Sequence, residues 1–197
     1  RTEDVVGQVI ASQRDGVFLA TKVSGSHLRR DQVLRAADAS LRLLNTDYID
    51  LYQIHWPNRG IPVAETMSAM ESLVDDGLVR YIGVSNFSLD DLQAAQQAMV
   101  HQPIVSNQVL YNLKDRGLER ALLPYCQEQG ITIIAYTPLA DGSLAKQSSF
   151  SWDRRGAVLA QIADESRKTP AQIALNWCLS HPNVIVIPKT DSVARTS

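Results

Sequence analysis

The chain has 197 residues, of which 45% are hydrophobic, and its formal net charge is −2. Such a chain can bury a sizeable core, and it has neither the basic excess of a nucleic-acid-binding protein nor an acidic tail. It contains no apolar stretch of about 18 residues and no signal-peptide pattern, so we expect a cytoplasmic protein that makes no membrane contact.

Six short apolar runs are predicted to be strands, and each ends on or next to a polar or cationic residue. In chain order the runs are Phe18–Lys22, Ile49–His55, Val79–Asn86, Ile104–Gln108, Ile131–Tyr136 and Val184–Lys189. Their residues are mostly apolar rather than alternating, which is typical of parallel strands buried on both faces.

Amphipathic helical patterns separate the runs, beginning with Glu3–Ser12 and ending with Gly156–Arg167 and Pro170–Ser180. Turn and capping residues mark where helices begin and end. The signals are Asp31 as an N-cap, Pro62 and Gly77 around one helix, a capping box of Ser88 and Asp91, Gly130 after a helix, and Thr169 as the N-cap of the last helix.

Strands and helices alternate at spacings of roughly 25 to 35 residues, the size of a βα unit. The alternation fits either a (β/α) barrel or an open doubly wound sheet. A full eight-stranded barrel takes about 250 residues and six of its eight units roughly 190, which favours the barrel. We therefore predict a single domain over residues 1–197 that covers about six units of a (β/α)8 TIM barrel, without its first two strands and first helix. The opening on Arg1, inside a helical pattern, supports that expectation.

The ends of parallel strands lie on one rim, where α/β barrels place their chemistry. Lys22 and His55 end neighbouring runs, so a cation and an imidazole are predicted side by side. This pair could shift the pKa of a nearby acid, or Lys22 could form a Schiff base. Strand alternation places His55 and Gln53 on one face and Tyr52 on the other. A surface lysine and a structural histidine are the alternatives.

Neutral polar side chains end the next runs. Ser85, Asn86 and Gln108 suit a planar amide that both donates and accepts hydrogen bonds, such as a nicotinamide carboxamide. Tyr136 offers a flat face for an aromatic ring, although it could also be a half-buried core residue. No Gly-x-Gly-x-x-Gly motif is present, so a dinucleotide would be held without that fingerprint.

A cationic loop follows the last run, where barrels often bind phosphate. Its candidates are Lys189, Thr190 and Arg195, although a solvated charged turn would have the same composition. Cys126 and Cys178 lie in helical patterns and are predicted to be buried free thiols. The four histidines have no metal-ligand spacing, so no metal is expected.

Read in order, these residues resemble the aldo-keto reductase superfamily, and most closely its bacterial reductases of small carbonyl compounds. The resemblance rests on Ala20–Lys22, Asp47–Pro57, Ile82–Phe87, Asn107–Gln108, Ala135–Leu139, Thr169–Trp177 and Ile187–Thr190. It implies a (β/α)8 barrel, a monomer, NADPH as cofactor, and reduction of aldehydes and ketones.

The resemblance also implies roles for the candidate residues. Lys22 and His55 would belong to a catalytic tetrad, and Trp56 would line the substrate pocket. The cofactor would be held by Ser85, Asn86 and Gln108 at the carboxamide, by Tyr136 under the nicotinamide ring, and by Lys189, Thr190 and Arg195 at the 2′-phosphate.

The other two tetrad members, a tyrosine proton donor and an aspartate, are expected upstream of Arg1. The sequence therefore predicts that these 197 residues alone turn over little substrate. Two alternatives stay open: a regulatory protein that binds NADPH without reaction, and a Schiff-base aldolase that uses Lys22.

Overall fold

The computed structural model describes residues 2–145, 154–192 and 194, and within them it contains seven α-helices and six β-strands. The helices are α1 Thr2–Ile10, α2 Arg30–Leu44, α3 Val63–Asp75, α4 Leu89–Ala98, α5 Leu122–Glu128, α6 Arg154–Ser166 and α7 Pro170–Leu179. The strands are β1 Ala20–Val23, β2 Ile49–Ile54, β3 Val79–Ser85, β4 Ile104–Leu110, β5 Thr132–Tyr136 and β6 Val184–Val186. All six predicted strands are confirmed.

The first of two compact units comprises Arg1–Asn107. Its sheet has the order β1-β2-β3-β4, and β1, β2 and β3 are parallel. All six residues of β2 are buried, as expected for a strand covered on both faces. Helices α1 to α4 connect and cover these strands, and each lies between two strands except α1, which precedes β1.

The second unit comprises Gln108–Ser197, and within it the strand order is β4-β5-β6. β5 and β6 are parallel, with Ile133 opposite Val184 and Ala135 opposite Val186. Cys126 on α5 and Cys178 on α7 are free and buried, which confirms the sequence prediction.

The observed helix ends confirm two of the predicted capping residues and correct a third. Ser88 accepts a hydrogen bond from the Asp91 amide at 3.2 Å, which confirms the capping box of α4. Thr169 caps α7 in the same way through the Gln172 amide. The Asp31 prediction was wrong: α2 begins at Arg30, so Asp31 lies inside the first turn and pairs with Arg35 instead.

Asp50, near the start of β2, is a buried carboxylate that ties the first unit together. It lies 2.9 Å from Arg14 and 2.8 Å from Arg80, and its Oδ2 accepts the Leu19 amide at 2.9 Å. The two guanidinium groups each lie 3.9 Å from the centre of the Tyr48 ring. Burial alone would raise the pKa of Asp50, but the Leu19 amide and both arginines together hold that pKa below its usual value.

No helix in the described part of the chain is long and apolar enough to cross a membrane.

Candidate active site

In the first unit, the carboxyl ends of β1, β2 and β3 bring the predicted residues together. The parallel register places Lys22 opposite Gln53, and Gln53 opposite Gly83. One residue further along, Val23 is opposite Ile54, and Ile54 is opposite Val84. His55 and Ser85 therefore follow directly at the ends of adjacent strands. The His55 amide continues the ladder by donating to the Val23 carbonyl at 2.9 Å.

Lys22 is partly buried at this rim, and burial lowers the pKa of its ammonium group. Desolvation disfavours the charged form of an amine, which is the physical cause of the shift. A lysine in this state is closer to losing its proton than one on an open surface. Its position beside the strand end that leads to His55 agrees with the predicted neighbourhood of cation and imidazole.

His55 and Trp56 are exposed where the chain leaves β2, and their ring centres lie 6.4 Å apart. The exit is fixed by the loop after β1, because Asn58 Nδ2 donates to the Gly25 carbonyl at 2.9 Å. Gly25 lies so close that an added Cβ would come within 2.9 Å of the Trp56 carbonyl oxygen. The turn that carries His55 and Trp56 is therefore held in place by its contacts with the loop after β1.

Ser85 and Asn86 form the next part of the rim. Ser85 is buried, and Asn86 adopts a φ of 61°, in the left-handed region where asparagine is tolerated better than most residues. The Asn86 side-chain amide donates to the His55 carbonyl at 3.0 Å and to Ser85 Oγ at 3.1 Å. These bonds join the ends of β2 and β3, so His55, Ser85 and Asn86 are held as one group.

In the second unit, Gln108 on β4 is buried and Tyr136 at the end of β5 is half-buried. The backbone beside them is anchored, because Asn112 Nδ2 donates to the Thr137 carbonyl at 3.1 Å. Thr137 has a φ of 52°, a strained value for a β-branched residue. A strained, anchored turn directly after Tyr136 fixes where the strand ends.

Lys189 and Thr190 follow β6 in a segment without regular secondary structure. Lys189 lies 3.5 Å from Asp191, and both side chains are almost fully exposed. Thr190 Oγ1 accepts the Ser192 amide at 3.1 Å. Arg195 lies outside the described residues.

Tyr52 is placed away from the rim, as the alternation predicted. It is fully buried, and its neighbour in register, Thr21, donates to Glu3 of α1 at 2.6 Å. Burial, with the Glu3 charge as a smaller contribution, raises the pKa of Tyr52 well above that of a free phenol. Tyr52 therefore lies on the helix side of the sheet and cannot donate a proton beside His55.

Sequence reasoning gave Gln53 a face of β2 but no role, and it did not mention Gly83 or Ser106. Gln53 is buried beside Lys22, and its Nε2 donates to the Val84 carbonyl at 3.3 Å. Ser106 and Gln53 crowd against Gly83, where a Cβ has no room. Alternation already placed Gln53 on the His55 face, but the packing depends on the register of three strands. Within the described ranges, no three His, Cys, Asp or Glu side chains gather as a metal site.

Parallel βα units with polar side chains at the carboxyl ends of their strands are typical of α/β barrels and of open doubly wound sheets. A family model described as the aldo/keto reductase family matches residues 1–197, and the chain belongs to that family. The predicted barrel class is confirmed by likeness to solved members. A thermostable aldo-keto reductase, Tm1743, in complex with the inhibitor epalrestat, superposes with a TM-score of 0.91 at 43% identity, covering 98% of this chain and 69% of that one.

A second solved structure, an aldo-keto reductase from Klebsiella pneumoniae in complex with NADPH, has a TM-score of 0.88 at 39% identity over 98% of this chain and 66% of its own. Among curated proteins, methylglyoxal reductase YeaE of Escherichia coli is 39% identical over 98% of this chain and 66% of its own length. Glyoxal reductase of Bacillus subtilis is 37% identical over 90% of this chain and 59% of its own length. The chain thus spans less than two thirds of these curated relatives.

Proposed function

We propose that this chain is the larger part of an NADPH-dependent reductase that converts small aldehydes and ketones to alcohols. Family membership supports the reaction class, and the names of the methylglyoxal and glyoxal reductases support a small carbonyl substrate. The observation that carries the proposal is the grouping of Lys22, His55, Ser85 and Asn86 at adjacent strand ends. We further propose a monomeric, cytoplasmic protein.

The side chains proposed to bind NADPH match the chemical groups of that cofactor. A carboxamide needs both donors and acceptors, and Ser85, Asn86 and Gln108 offer neutral groups of both kinds. Tyr136 supplies an aromatic face for the nicotinamide ring, and Lys189, Thr190 and Arg195 supply the cations and hydroxyl for the 2′-phosphate.

Bound NADPH supplies a hydride from its C4 to the carbonyl carbon, and a proton to the carbonyl oxygen completes the alcohol. Lys22 acts on the proton: a cation next to a tyrosine hydroxyl favours the phenolate and so lowers the pKa of that donor. We assign this tyrosine, with an aspartate that pairs with Lys22, to a segment upstream of Arg1. His55 orients the carbonyl by a hydrogen bond, and Trp56 covers the substrate.

The proposal is tested on the complete natural polypeptide with methylglyoxal and NADPH, following loss of the nicotinamide absorbance. Lys22→Met is expected to lower kcat by about 10² to 10⁴, the usual contribution of acid–base catalysis, while the Kd for NADPH changes by less than about threefold. Lys168→Met, at an exposed lysine beyond α6, is the matched control and should leave both constants unchanged. Full activity of the Lys22 variant would reject this mechanism.

The lowered pKa of Lys22 favours one second candidate, a Schiff-base aldolase. Borohydride added in the presence of a carbonyl substrate would then attach that substrate covalently to Lys22, and intact mass would show the adduct. We expect no adduct and continued consumption of NADPH. If NADPH binds but neither reaction occurs in the complete polypeptide, the non-catalytic alternative is favoured.

A further inference from the structure

A groove of about 1100 Å³ lies in the second unit, apart from every residue assigned above to the cofactor or the substrate. Its walls come from the segment after β4, the turn at residues 143–144 after β5, and helices α6 and α7. The lining residues used below are Lys114, Arg116, Arg154, Arg155, Val158 and Trp177.

One side of the groove is apolar because α6 is only lightly packed. Ala163 is the one described residue of α6 that is buried, while Val158 and Ile162 are 50% and 41% exposed. Ile173 and Trp177 on α7 continue this apolar surface. A helix that leaves large aliphatic side chains facing a groove offers surface that an apolar ligand could cover.

The other side is cationic and held in place. Asn112 is fully buried, and its Oδ1 accepts the Lys114 amide at 2.8 Å and the Asp115 amide at 2.9 Å. Lys114 Nζ donates to Ser143 Oγ at 2.8 Å, while Arg116 pairs with Glu119 at 2.8 Å and lies 5.1 Å from the Trp177 ring. These contacts fix the positions of two cations before any ligand arrives.

The charge of the groove is one-sided. Its described lining contains four cationic residues and no acidic one. Glu119 neutralises Arg116, whereas Lys114 and Arg154 supply a positive field. Anions gain from such a field and cations lose, and a fully hydrated anion gains nothing from the apolar wall.

We propose that this groove binds a free amphipathic monoanion, an aryl or acyl carboxylate or sulfonate of about ten to sixteen carbons. Its apolar body lies on Val158 and Trp177, and its anionic head lies at Lys114 and Arg154. None of these residues is assigned to NADPH, so binding in this groove does not depend on the proposed reductase function.

The test is a fluorescence titration of the complete natural polypeptide with 8-anilinonaphthalene-1-sulfonate. For a ligand of this size we expect a Kd on the order of 10 µM. The matched neutral probe is N-phenyl-1-naphthylamine, which has the same rings without the sulfonate and should bind at least fivefold more weakly.

Variants locate the site. Arg154→Ala should raise the Kd of the sulfonate about fivefold, and Val158→Asp at least tenfold. Arg120→Ala and Val5→Asp are controls, because Arg120 lies outside the groove and Val5 is a helical valine of comparable exposure, 53%. Both should change the Kd less than twofold, and circular dichroism checks that each variant is folded.

Three results would overturn the inference. The first is equal binding of the two probes, which would remove the role of charge. The second is unchanged binding by Arg154→Ala and Val158→Asp, which would place the probe elsewhere. The third is full displacement by NADPH, which would make the groove part of the cofactor site. Retained carbonyl reduction in the Val158 variant would show that a failure here leaves the proposed function intact.

Discussion

Replacing Gly83 with alanine tests the packing beneath the proposed nicotinamide site. An added Cβ would overlap Ser106 Oγ and would lie 3.0 Å from Gln53 Cγ and 3.1 Å from Leu51 Cδ1. All three neighbours are buried, so none can move freely into solvent. Overpacking of this kind costs about 1–3 kcal/mol, and we expect about 2 kcal/mol for Gly83→Ala.

A second substitution separates the overlap from other effects. Ser106 Oγ is buried and has no hydrogen-bond partner in the described part of the protein, so Ser106→Ala should cost little. In the double variant Gly83→Ala/Ser106→Ala the worst overlap is gone. We expect about 1 kcal/mol of the loss to return, which a double-mutant cycle reports as coupling.

The assay is urea unfolding of the complete polypeptide. With a slope of about 2 kcal/mol per molar, Gly83→Ala should lower the midpoint by about 1 M and the double variant by about half as much. Gly16→Ala is the control, because an added Cβ meets nothing within 4 Å there. An unchanged midpoint for Gly83→Ala, or no recovery in the double variant, would refute the packing argument.

Three further predictions concern Asp50, Asn86 and Ser88. Asp50→Asn should destabilise the fold by about 2 kcal/mol at pH 7, because it leaves Arg14 and Arg80 without their shared carboxylate. Because the pKa of Asp50 is lowered in the folded state, its carboxylate stabilises the fold fully above the unfolded-state pKa of about 4, and this stabilisation is lost as the pH falls below that value. The urea midpoints of the natural protein and of Asp50→Asn should therefore converge in acid. A difference between the two midpoints that does not change with pH would contradict this. Asn86→Gly keeps the left-handed turn but removes the side-chain amide, so the Kd for NADPH should rise about tenfold. Asn86→Ala should in addition lose about 1 kcal/mol of stability, because alanine is strained in the left-handed region. An NADPH titration and an unfolding curve of each variant check this pair, and unchanged NADPH affinity would count against Asn86 as a cofactor-binding residue. Ser88→Ala should cost about 1 kcal/mol by urea unfolding and Ser88→Gly only a few tenths, with NADPH affinity unaltered in both. An unchanged midpoint for Ser88→Ala would mean that the cap contributes nothing.

The positions of the rim residues could be predicted because they depend on local pattern. Apolar runs of strand length fixed β1 to β3, and parallel pairing then placed Lys22, His55 and Ser85 at neighbouring ends. The face of Tyr52 followed from alternation alone. Resemblance to a family, rather than periodicity, assigned the cofactor and the role of each side chain.

What could not be predicted depends on contacts between distant parts of the chain. Nothing local indicates that Asp50 would accept from Leu19 and pair with both Arg14 and Arg80. The close approach of Gly83 and Ser106 needs the register of adjacent strands. Asp31 was misplaced because a residue that favours N-caps is also favourable inside the first turn, where its charge complements the helix dipole.

The most direct test of the central claim is a crystal structure of the complete polypeptide with NADPH bound. We predict that the nicotinamide carboxamide lies within hydrogen-bond distance of Ser85 and Asn86, and that the nicotinamide ring lies beside His55. A nicotinamide ring bound anywhere else, with Lys22 and His55 remote from C4, would contradict the account.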